Sequence, residues 1–263
     1  MIRAGFSAMV ALSLSFPAFA AEPAVAPPAA VAEGKTVIDQ TTGMEFVFVN
    51  GGCYQMGSNN IDNTKPVHPV CVSAFSMGKT EVTQAQWAKV MGNNPSRFKQ
   101  CGPECPVEYV SWNEAQHFIK KLNSLSGKQY RMPTEAEWEY AARSGGKNEQ
   151  WAGTNDQKQL NSFAWYKDNS GETTHKVALK MPNGLGLYDM TGNVDEWCRD
   201  WYHEAYNASP KDNPSGPGNG KERVLRGGSW VGTVDEARAA MRYSYTPDDR
   251  YDYAGLRLVL PAR

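Results

Sequence analysis

The sequence predicts an α/β domain with much irregular structure, built from short strands and short capped helices. Three observations support this class. Three segments combine an N-terminal capping signal with apolar residues at helical spacing, and several apolar runs are short enough to be strands. The chain of 263 residues also contains 24 Gly, 16 Pro and 8 Trp residues. This composition is typical of many turns held by large aromatic side chains.

Capping boxes predict where three helices begin. In each box a Ser or Thr is followed three residues later by Gln or Glu, so that the two side chains can satisfy free N–H groups of the first turn. In the third helix the apolar spacing directs Trp138 inward and leaves Glu135 and Glu139 toward solvent. The boxes pair Thr83 with Gln86, Ser111 with Glu114, and Thr134 with Glu137.

Short apolar runs before and between these helices predict strands. Two long stretches, residues 151–188 and 202–221, are instead rich in Asn, Gly, Ser, Asp and Pro, which predicts loops. Loops of this length in a compact domain need a reason to be ordered, and a bound ion is one such reason. The strand-like runs are MEFVFVNGGCYQMG, VCVSAFSMGKTEV, ERVLRGGSW and AGLRLVLPA.

The first residues carry the pattern of an export signal. Arg3 precedes an apolar stretch that ends in the small-residue pattern AFA, so residues 1–20 are predicted to be a signal peptide. A transmembrane anchor is the rival interpretation, but the stretch is short and Pro17 interrupts it. Residues 21–35 are rich in Ala and Pro and predict a tether, which leaves residues 36–263 as the folded domain. We therefore expect a periplasmic or secreted protein without a transmembrane segment after cleavage.

Charge and motif content exclude several function classes. The net charge is -1, from 27 Lys and Arg against 28 Asp and Glu, which gives no electrostatic reason to expect nucleic acid or an anionic membrane as partner. The run GLYDMTGNVDEW lacks the lysine and spacing of a phosphate-binding loop. Ser229 in RGGSW does not form a nucleophile elbow, and the four histidines show no metal-ligand spacing.

The five cysteines fit an oxidising compartment. Cys53 and Cys71 lie in strand-like runs that a hairpin could bring together, and Cys101 and Cys105 in CGPEC could close a small loop. Metal ligation is the alternative for these four, but zinc sites favour tighter pairs joined to further Cys or His. Cys198 follows Trp197 in an aromatic-rich run and is predicted to be a buried, unreactive thiol.

An oxygen-rich segment predicts a site for a hard cation. Asp189 and Glu196 provide carboxylates, and Gly192 and Val194 can turn their carbonyl oxygens inward between them. Calcium prefers such a mixture of carboxylates and backbone oxygens. The alternative is a solvated Asp and a surface Glu. However, Glu196 lies between aromatic-rich segments and would be costly to bury unpaired, so we expect structural calcium here.

Together, the motifs of this chain resemble the formylglycine-generating enzyme, or sulfatase-modifying factor, superfamily. They occur in the order of that superfamily and cover nearly all of residues 43–261. The resemblance implies a C-type-lectin-like α/β fold with calcium sites. The motifs are GGCYQMGS, KPVHPVCV, KTEVTQAQW, CPVEYVSWNEA, RMPTEAEWEYAAR, PNGLGLYDMTGNVDEWCRDWY, RVLRGGSW and AGLRL.

The resemblance also implies that the usual chemistry of the superfamily is lost. In its sulfatase-activating members, two cysteines after the Gly-Gly-Ser-Tyr/Trp strand bind copper and oxidise a substrate cysteine. Aligned through RGGSW, their positions fall on Gly232 and Ala237, which offer no thiolate to hold Cu(I). Asp195 stands where a pocket tryptophan usually lies. Sulfatase activation by the copper mechanism is therefore not expected.

The same resemblance carries over two sets of calcium ligands. The first coincides with the oxygen-rich segment described above, although Asp189 stands where the family usually has Asn. The second lies in a loop that is shorter here than in the family. Its residues are Asn161, Ser162, Asn169 and Gly171.

Two functions follow from the resemblance. In the first, the exported protein takes part in oxidative maturation of a peptide or protein substrate, through a redox centre that the sequence does not identify. Exported pyoverdine-maturation proteins, which the chain also resembles, are implicated in oxidising an aromatic residue of a peptide precursor. The second is a non-catalytic, calcium-stabilised, lectin-like module that grips a peptide or glycan. The predicted pocket residues are Ser229, Trp230, Arg242 and Tyr243.

Arginines near the end of the chain do not decide between these functions. Arg242, Arg250 and Arg257 could serve the pocket, but they could equally hold loops in place through pairs with carboxylates. We weigh a modifying enzyme and a binding module about evenly, because a fold alone does not determine a function.

Overall fold

The computed structural model describes Met1, residues 35–206 and residues 212–262. The predicted signal peptide and almost all of the predicted tether fall outside these ranges and stay predictions. The described residues from 35 onward belong to one compact unit. In them we find three sheets, four α-helices and long irregular connections, which confirms the predicted α/β class. None of the helices in the described ranges has the length and apolar character needed to cross a membrane.

Ten short strands form the three sheets. They are β1 (Thr36–Ile38), β2 (Glu45–Val49), β3 (Gly52–Met56), β4 (His68–Val72), β5 (Phe75–Gly78), β6 (Asp195–Trp201), β7 (Arg223–Arg226), β8 (Arg242–Tyr245), β9 (Ala254–Gly255) and β10 (Val259–Pro261). The first sheet has the order β1-β2-β5-β10 and is antiparallel, so that the first and last strands of the domain share it. Strands β3 and β4 pair as a hairpin. The third sheet has the order β8-β7-β6-β9, and only its β6–β9 pair is parallel.

Two hydrophobic clusters lie on opposite sides of the strands. Neighbouring residues of one strand join different clusters, as Phe46 and Val47 do in β2 and Trp197 and Cys198 do in β6. This follows from the geometry of a strand, whose successive side chains point to opposite faces. Both faces of these strands are therefore buried, and the buried positions of β6 include the charged residues Asp195, Glu196 and Asp200.

Three of the four α-helices begin where the sequence predicts them, and the fourth, Leu160–Phe163, lies in a stretch that was predicted to be a loop. They are α1 (Gln84–Met91), α2 (Trp112–Ser126), α3 (Glu135–Ala142) and the short α4 (Leu160–Phe163). All three predicted capping boxes are confirmed, with both reciprocal hydrogen bonds present in each. Helices α1 and α2 end at Gly92 and Gly127, whose φ angles of 85° and 67° lie in the left-handed region that glycine tolerates.

The predicted exposure of Glu135 and Glu139 is wrong. Trp138 does point inward, but all eight residues of α3 are buried. Glu135 forms ion pairs with Arg226 and Arg242, at 2.8 Å and 2.5 Å. Glu139 pairs with Arg226 at 2.6 Å and also with an arginine of its own helix end, Arg143, at 2.9 Å. These pairs compensate the cost of burying the carboxylates.

Both predicted disulfides are confirmed. Cys53 and Cys71 are directly opposite each other in the β3–β4 hairpin and are bonded, and Cys101 is bonded to Cys105. Cys198 is a buried free thiol, as predicted, and burial raises its pKa well above the usual range. Because the thiolate is the reactive form, this environment makes the thiol inert.

Candidate functional site

A pocket of about 270 Å³ lies beside the start of β6. Its walls come from the start of β6, from the loop that follows β7, from β8 and from the segment before β9. They combine carboxylates, tyrosine rings and exposed backbone. The lining residues are Asp195, Gly228, Ser229, Val231, Gly232, Glu236, Tyr243, Tyr245 and Tyr253.

The Arg-Gly-Gly-Ser-Trp segment builds the floor of this pocket. Gly227 and Gly228 have φ angles of 110° and 71°, which L-residues with side chains rarely adopt. A Cβ atom on Gly228 would also approach Cα of Ala237 to 2.8 Å. The bend directs the Gly228 N–H to Oδ1 of Asp195 at 3.0 Å, and Ser229 also hydrogen-bonds that carboxylate. The glycines therefore fix the position of Asp195.

Asp195 is a buried carboxylate without a cationic partner among the described residues. Burial raises its pKa to about 7. The hydrogen bonds from Ser229 and Gly228 lower the pKa, whereas the charge of Glu236 raises it further. Two acidic groups thus face one small cavity, and the described part of the chain supplies no positive charge to balance Asp195.

Tyrosines form the other wall. The Tyr243 hydroxyl is buried and has no hydrogen-bond partner within the described ranges. The hydroxyls of Tyr245 and Tyr253 lie 3.1 Å apart, and the ring of Tyr251 stacks on that of Tyr253. Burial raises the pKa of both Tyr243 and Tyr253, so their hydroxyls stay neutral. The wall therefore offers aromatic faces and one unused hydrogen-bonding group.

The structure brings together two of the four predicted pocket residues. Ser229 and Tyr243 line the cavity. Trp230 does not line it, and its indole N–H donates to the Asp252 carbonyl at 3.1 Å. Arg242 precedes Tyr243 on β8 and so points to the opposite face, where it pairs with Glu135. A catalytic role for any of the four stays a prediction.

Sequence reasoning missed several of the lining residues, including Glu236, Tyr245 and Tyr253. Tyr245 is the last residue of β8, whereas Glu236 and Tyr253 stand in irregular stretches before and after that strand. The alternation of tyrosines in RYSYTPDDRYDY was the available signal, because every second residue of a strand faces the same side. That rule separates Tyr243 and Tyr245 from Arg242.

The two positions aligned with the copper-binding cysteines differ in their surroundings. Gly232 lines the pocket, whereas Ala237 is fully buried against the cluster of Trp151 and Leu160. The one free cysteine in the described part of the chain, Cys198, lies in the core and not in the pocket. The pocket therefore offers no thiolate ligand for copper.

At the first predicted calcium site, Glu196 already has partners. Arg257 Nη2 lies 2.7 Å from its Oε1, and the indole N–H of Trp138 donates to Oε2 at 2.7 Å. Asp189 accepts the Ala178 N–H at 2.7 Å, and burial raises its pKa to about 6. Glu196 therefore has a counter-charge without a metal ion. Asp189 and the carbonyls of the segment would have to supply most of the calcium ligands.

A third buried carboxylate was missed beside this site. Glu81 accepts hydrogen bonds from the Asn193 amide group at 2.9 Å and from the Val194 N–H at 3.2 Å. Burial raises its pKa well above the usual range, and the charges of Asp189 and Glu196 add to the rise. Within the described ranges, no three His, Cys, Asp or Glu side chains are arranged to hold a metal ion together. Calcium here would depend on backbone oxygens and stays a proposal.

Hydrogen bonds connect the residues of the second predicted calcium site to each other and to neighbouring residues. The Asn161 side-chain oxygen accepts from the Asn169 amide at 3.2 Å, and the Ser162 carbonyl accepts the Met181 N–H at 2.8 Å. The Lys180 ammonium donates to the Asn161 carbonyl at 2.6 Å. Gly171 adopts a positive φ of 63° in the same loop. A lysine thus supplies positive charge at this carbonyl, and calcium binding stays a prediction.

Two curated relatives cover different shares of the chain. This chain is 31% identical over 274 residues to the "Chaperone protein LppX" of Paenibacillus barcinonensis. The match covers 83% of this chain and 90% of that protein. It is 40% identical over 170 residues to the "Formylglycine-generating enzyme" of Streptomyces coelicolor, covering 59% of this chain and 52% of that enzyme. The matched region thus spans about half the length of that enzyme.

Solved structures match the whole fold. "Treponema denticola variable protein 1" superposes with a TM-score of 0.81 at 34% identity, covering 87% of this chain and 99% of that one. PvdO from Pseudomonas aeruginosa superposes with a TM-score of 0.78 at 26% identity, covering 89% and 100%. These likenesses confirm the predicted fold and the resemblance to the pyoverdine-maturation branch. A family model described as "Sulfatase-modifying factor enzyme 1-like domain" matches residues 33–262, and the chain belongs to that family.

Proposed function

We propose that this protein binds a peptide segment of a partner protein in the Asp195 pocket, without oxidation by a copper–cysteine centre. One observation carries the proposal. The pocket persists as a cavity of about 270 Å³, while Gly232 and Ala237 occupy the two positions aligned with the cysteines. Val231, with 44% of its surface exposed, lies at the rim and offers apolar contact to an extended chain.

Two further observations support a binding role outside the cytosol. The relative LppX, matched over 90% of its length, is named a chaperone, and a chaperone acts on other proteins by binding them. The two disulfides of this chain fit an oxidising compartment. Export through the predicted signal peptide agrees with both observations and is part of the proposal.

Oxidative maturation of a peptide is the second candidate. The likeness to PvdO over the full length of that chain favours it, because the sequence resembles the pyoverdine-maturation branch. In this case the pocket would hold the substrate, and a redox cofactor from outside the described side chains would accept the electrons. Asp195 and the tyrosines would then orient the reacting group.

Binding and oxidation can be separated with one set of peptides. Peptides selected from a random display library against the full chain are titrated by calorimetry, and oxygen uptake is recorded with and without added copper. We expect a saturable peptide complex and no oxygen uptake. Oxygen consumed in proportion to modified peptide would overturn the binding proposal in favour of the enzyme.

A pair of glycine variants locates the binding site. Gly232→Trp places a large ring in the pocket, and a Cβ there meets its closest neighbours at 3.3 Å. Gly218→Trp adds the same ring at an exposed position where a Cβ meets nothing within 4 Å. We expect the first variant to lose peptide binding and the second to keep it. Equal affinity in both variants would place the peptide elsewhere.

A further inference from the structure

We infer that the Asp195 pocket recognises a positively charged side chain, the ammonium of Lys or the guanidinium of Arg. The inference rests on the proposed peptide binding for its source of ligand, and it names the group that enters the cavity. Three independent features of the cavity point to a cation: its charge, its unused hydrogen-bonding group and its aromatic wall.

The acidic groups of the cavity have no cationic partner among the described residues. Asp195 is 6% exposed and forms no ion pair with the described residues. Glu236 lines the same cavity and acts on Asp195 as a like charge. Of the other buried carboxylates, Glu135 and Glu196 are paired with arginine, whereas Asp200 has no ion pair among the described residues and a raised pKa. Asp195 lacks the counter-charge that a buried carboxylate needs, and a bound cation would supply it.

Hydrogen-bonding capacity is also left over in the cavity. The buried hydroxyl of Tyr243 has no partner in the described part of the chain, and it lies close enough to Asp195 and Glu236 to feel both charges. Lys and Arg head groups have only donors, so their N–H groups match the oxygens of Asp195 and Tyr243. A neutral carbonyl group could accept from the Tyr243 hydroxyl, but it would bring no positive charge to Asp195.

The aromatic wall suits a cation as well. Tyr243, Tyr245 and Tyr253 line the cavity, and tyrosine faces attract cations within about 6 Å of the ring centre. This chain uses the same contact elsewhere: the guanidinium of Arg223 lies 3.8 Å and 3.3 Å from the ring centres of Trp112 and Trp201.

The size of the cavity limits the ligand to one side chain. Its volume of about 270 Å³ is below the roughly 300–1,000 Å³ typical of small-molecule sites. Val231 at the rim can cover the aliphatic stem of a lysine or arginine, whose charged end then reaches Asp195. A basic side chain of a peptide fits this volume, whereas a nucleotide-sized cofactor does not.

The test uses n-butylammonium as a minimal lysine head group and n-butanol as its neutral counterpart, both titrated by NMR into the full chain. We expect butylammonium to bind at least about tenfold more tightly, in line with a charge-assisted hydrogen bond. Asp195→Asn keeps an oxygen for the Gly228 N–H and should fold, which its melting curve checks. This variant should lose the preference. Asp235→Asn, at an exposed carboxylate, is the matched control and should keep it.

Tyr243→Phe gives a second readout, because it removes only the hydroxyl. It should weaken butylammonium binding by a larger factor than butanol binding. Equal binding of the two probes by the unchanged protein, or an Asp195→Asn variant that keeps the preference, would overturn the inference.

The outcomes also separate this inference from the proposed function. Display-selected peptides that bind the pocket with no loss when Lys or Arg is replaced by norleucine would support peptide binding and overturn the cation site. Butylammonium binding that depends on Asp195, with no peptide selected, would support the cation site and overturn the peptide proposal.

Discussion

Arg257 and Glu196 form an ion pair that is closed to solvent, with both side chains 0% exposed. Arg257 Nη2 lies 2.7 Å from Glu196 Oε1, and its other donors bond the carbonyls of Gly78 and Tyr188 at 2.8 Å. The indole N–H of Trp138 donates to the other oxygen of this carboxylate, Glu196 Oε2. The pair therefore joins β6, the end of β5 and the segment before β10 at one point.

Removing one partner of this pair should be strongly destabilising. Glu196→Ala leaves the Arg257 guanidinium buried without a counter-charge, so we expect a loss of about 3–5 kcal/mol in the free energy of unfolding. Urea denaturation measures it. Glu104→Ala, which removes the exposed pair with Lys176, is the control and should change little. A small loss at Glu196 would show that solvent reaches the pair.

Calcium binding needs a variant other than Glu196→Ala, because that change destabilises the protein with or without the metal. If calcium binds at Asp189, millimolar calcium should raise the melting temperature of the unchanged protein relative to a chelator. In Asp189→Ala this increment should disappear, although the variant also loses the hydrogen bond from Ala178. An unchanged protein whose melting temperature ignores calcium and chelator would contradict the site.

The two disulfides should differ in their effect on stability. The Cys53–Cys71 bond spans 18 residues and the Cys101–Cys105 bond spans 4. Loop-closure entropy predicts losses of about 3 kcal/mol and about 2 kcal/mol on replacing each pair with serine. Urea denaturation of the two double variants measures both losses. A larger loss for the Cys101–Cys105 variant would contradict the loop-closure explanation.

Asp200 should make stability fall as pH rises. Burial raises its folded-state pKa to about 8, with the charge of Glu135 as the next cause. Between about pH 4, where the unfolded chain ionises, and pH 8, the folded protein holds the extra proton, so stability declines across this window. Asp200→Asn cannot ionise and can still accept the Glu135 N–H bond that Asp200 Oδ2 accepts at 3.0 Å.

The difference between this variant and the unchanged protein isolates Asp200 from the other titrating groups. Its stability advantage should grow by at most about 1.4 kcal/mol per pH unit from pH 4 and level off near pH 8. Thermal unfolding followed across pH 4–9 measures the advantage. A constant difference over this range would mean that the folded-state pKa of Asp200 is ordinary.

Local features could be predicted from the sequence, and distant pairings could not. The capping boxes at Thr83, Ser111 and Thr134 depend on residues three positions apart, so the pattern contains all the partners. The burial of Glu135 and Glu139 depends on arginines far along the chain, and no local pattern reveals which arginine reaches which glutamate.

The same division holds for the pocket. Ser229 and Tyr243 could be predicted because the Gly-Gly-Ser-Trp motif and its family alignment mark that strand end. Tyr253 enters from the segment before β9, which reaches the pocket only because β9 pairs in parallel with β6. A strand of two residues gives no periodic signal, so this contact follows from the tertiary fold alone.

The arginines that neutralise helix α3 have a consequence for how the molecule reaches its native state. Arg226 follows Glu139 by 87 residues, and Arg242 follows Glu135 by 107. In a nascent or truncated chain that ends before β7, Glu135 would lack both of its arginines and Glu139 would keep only Arg143, so docking of α3 would be disfavoured. Structure formation should therefore be slow and nearly all-or-none, completed only once the last quarter of the polypeptide has been made.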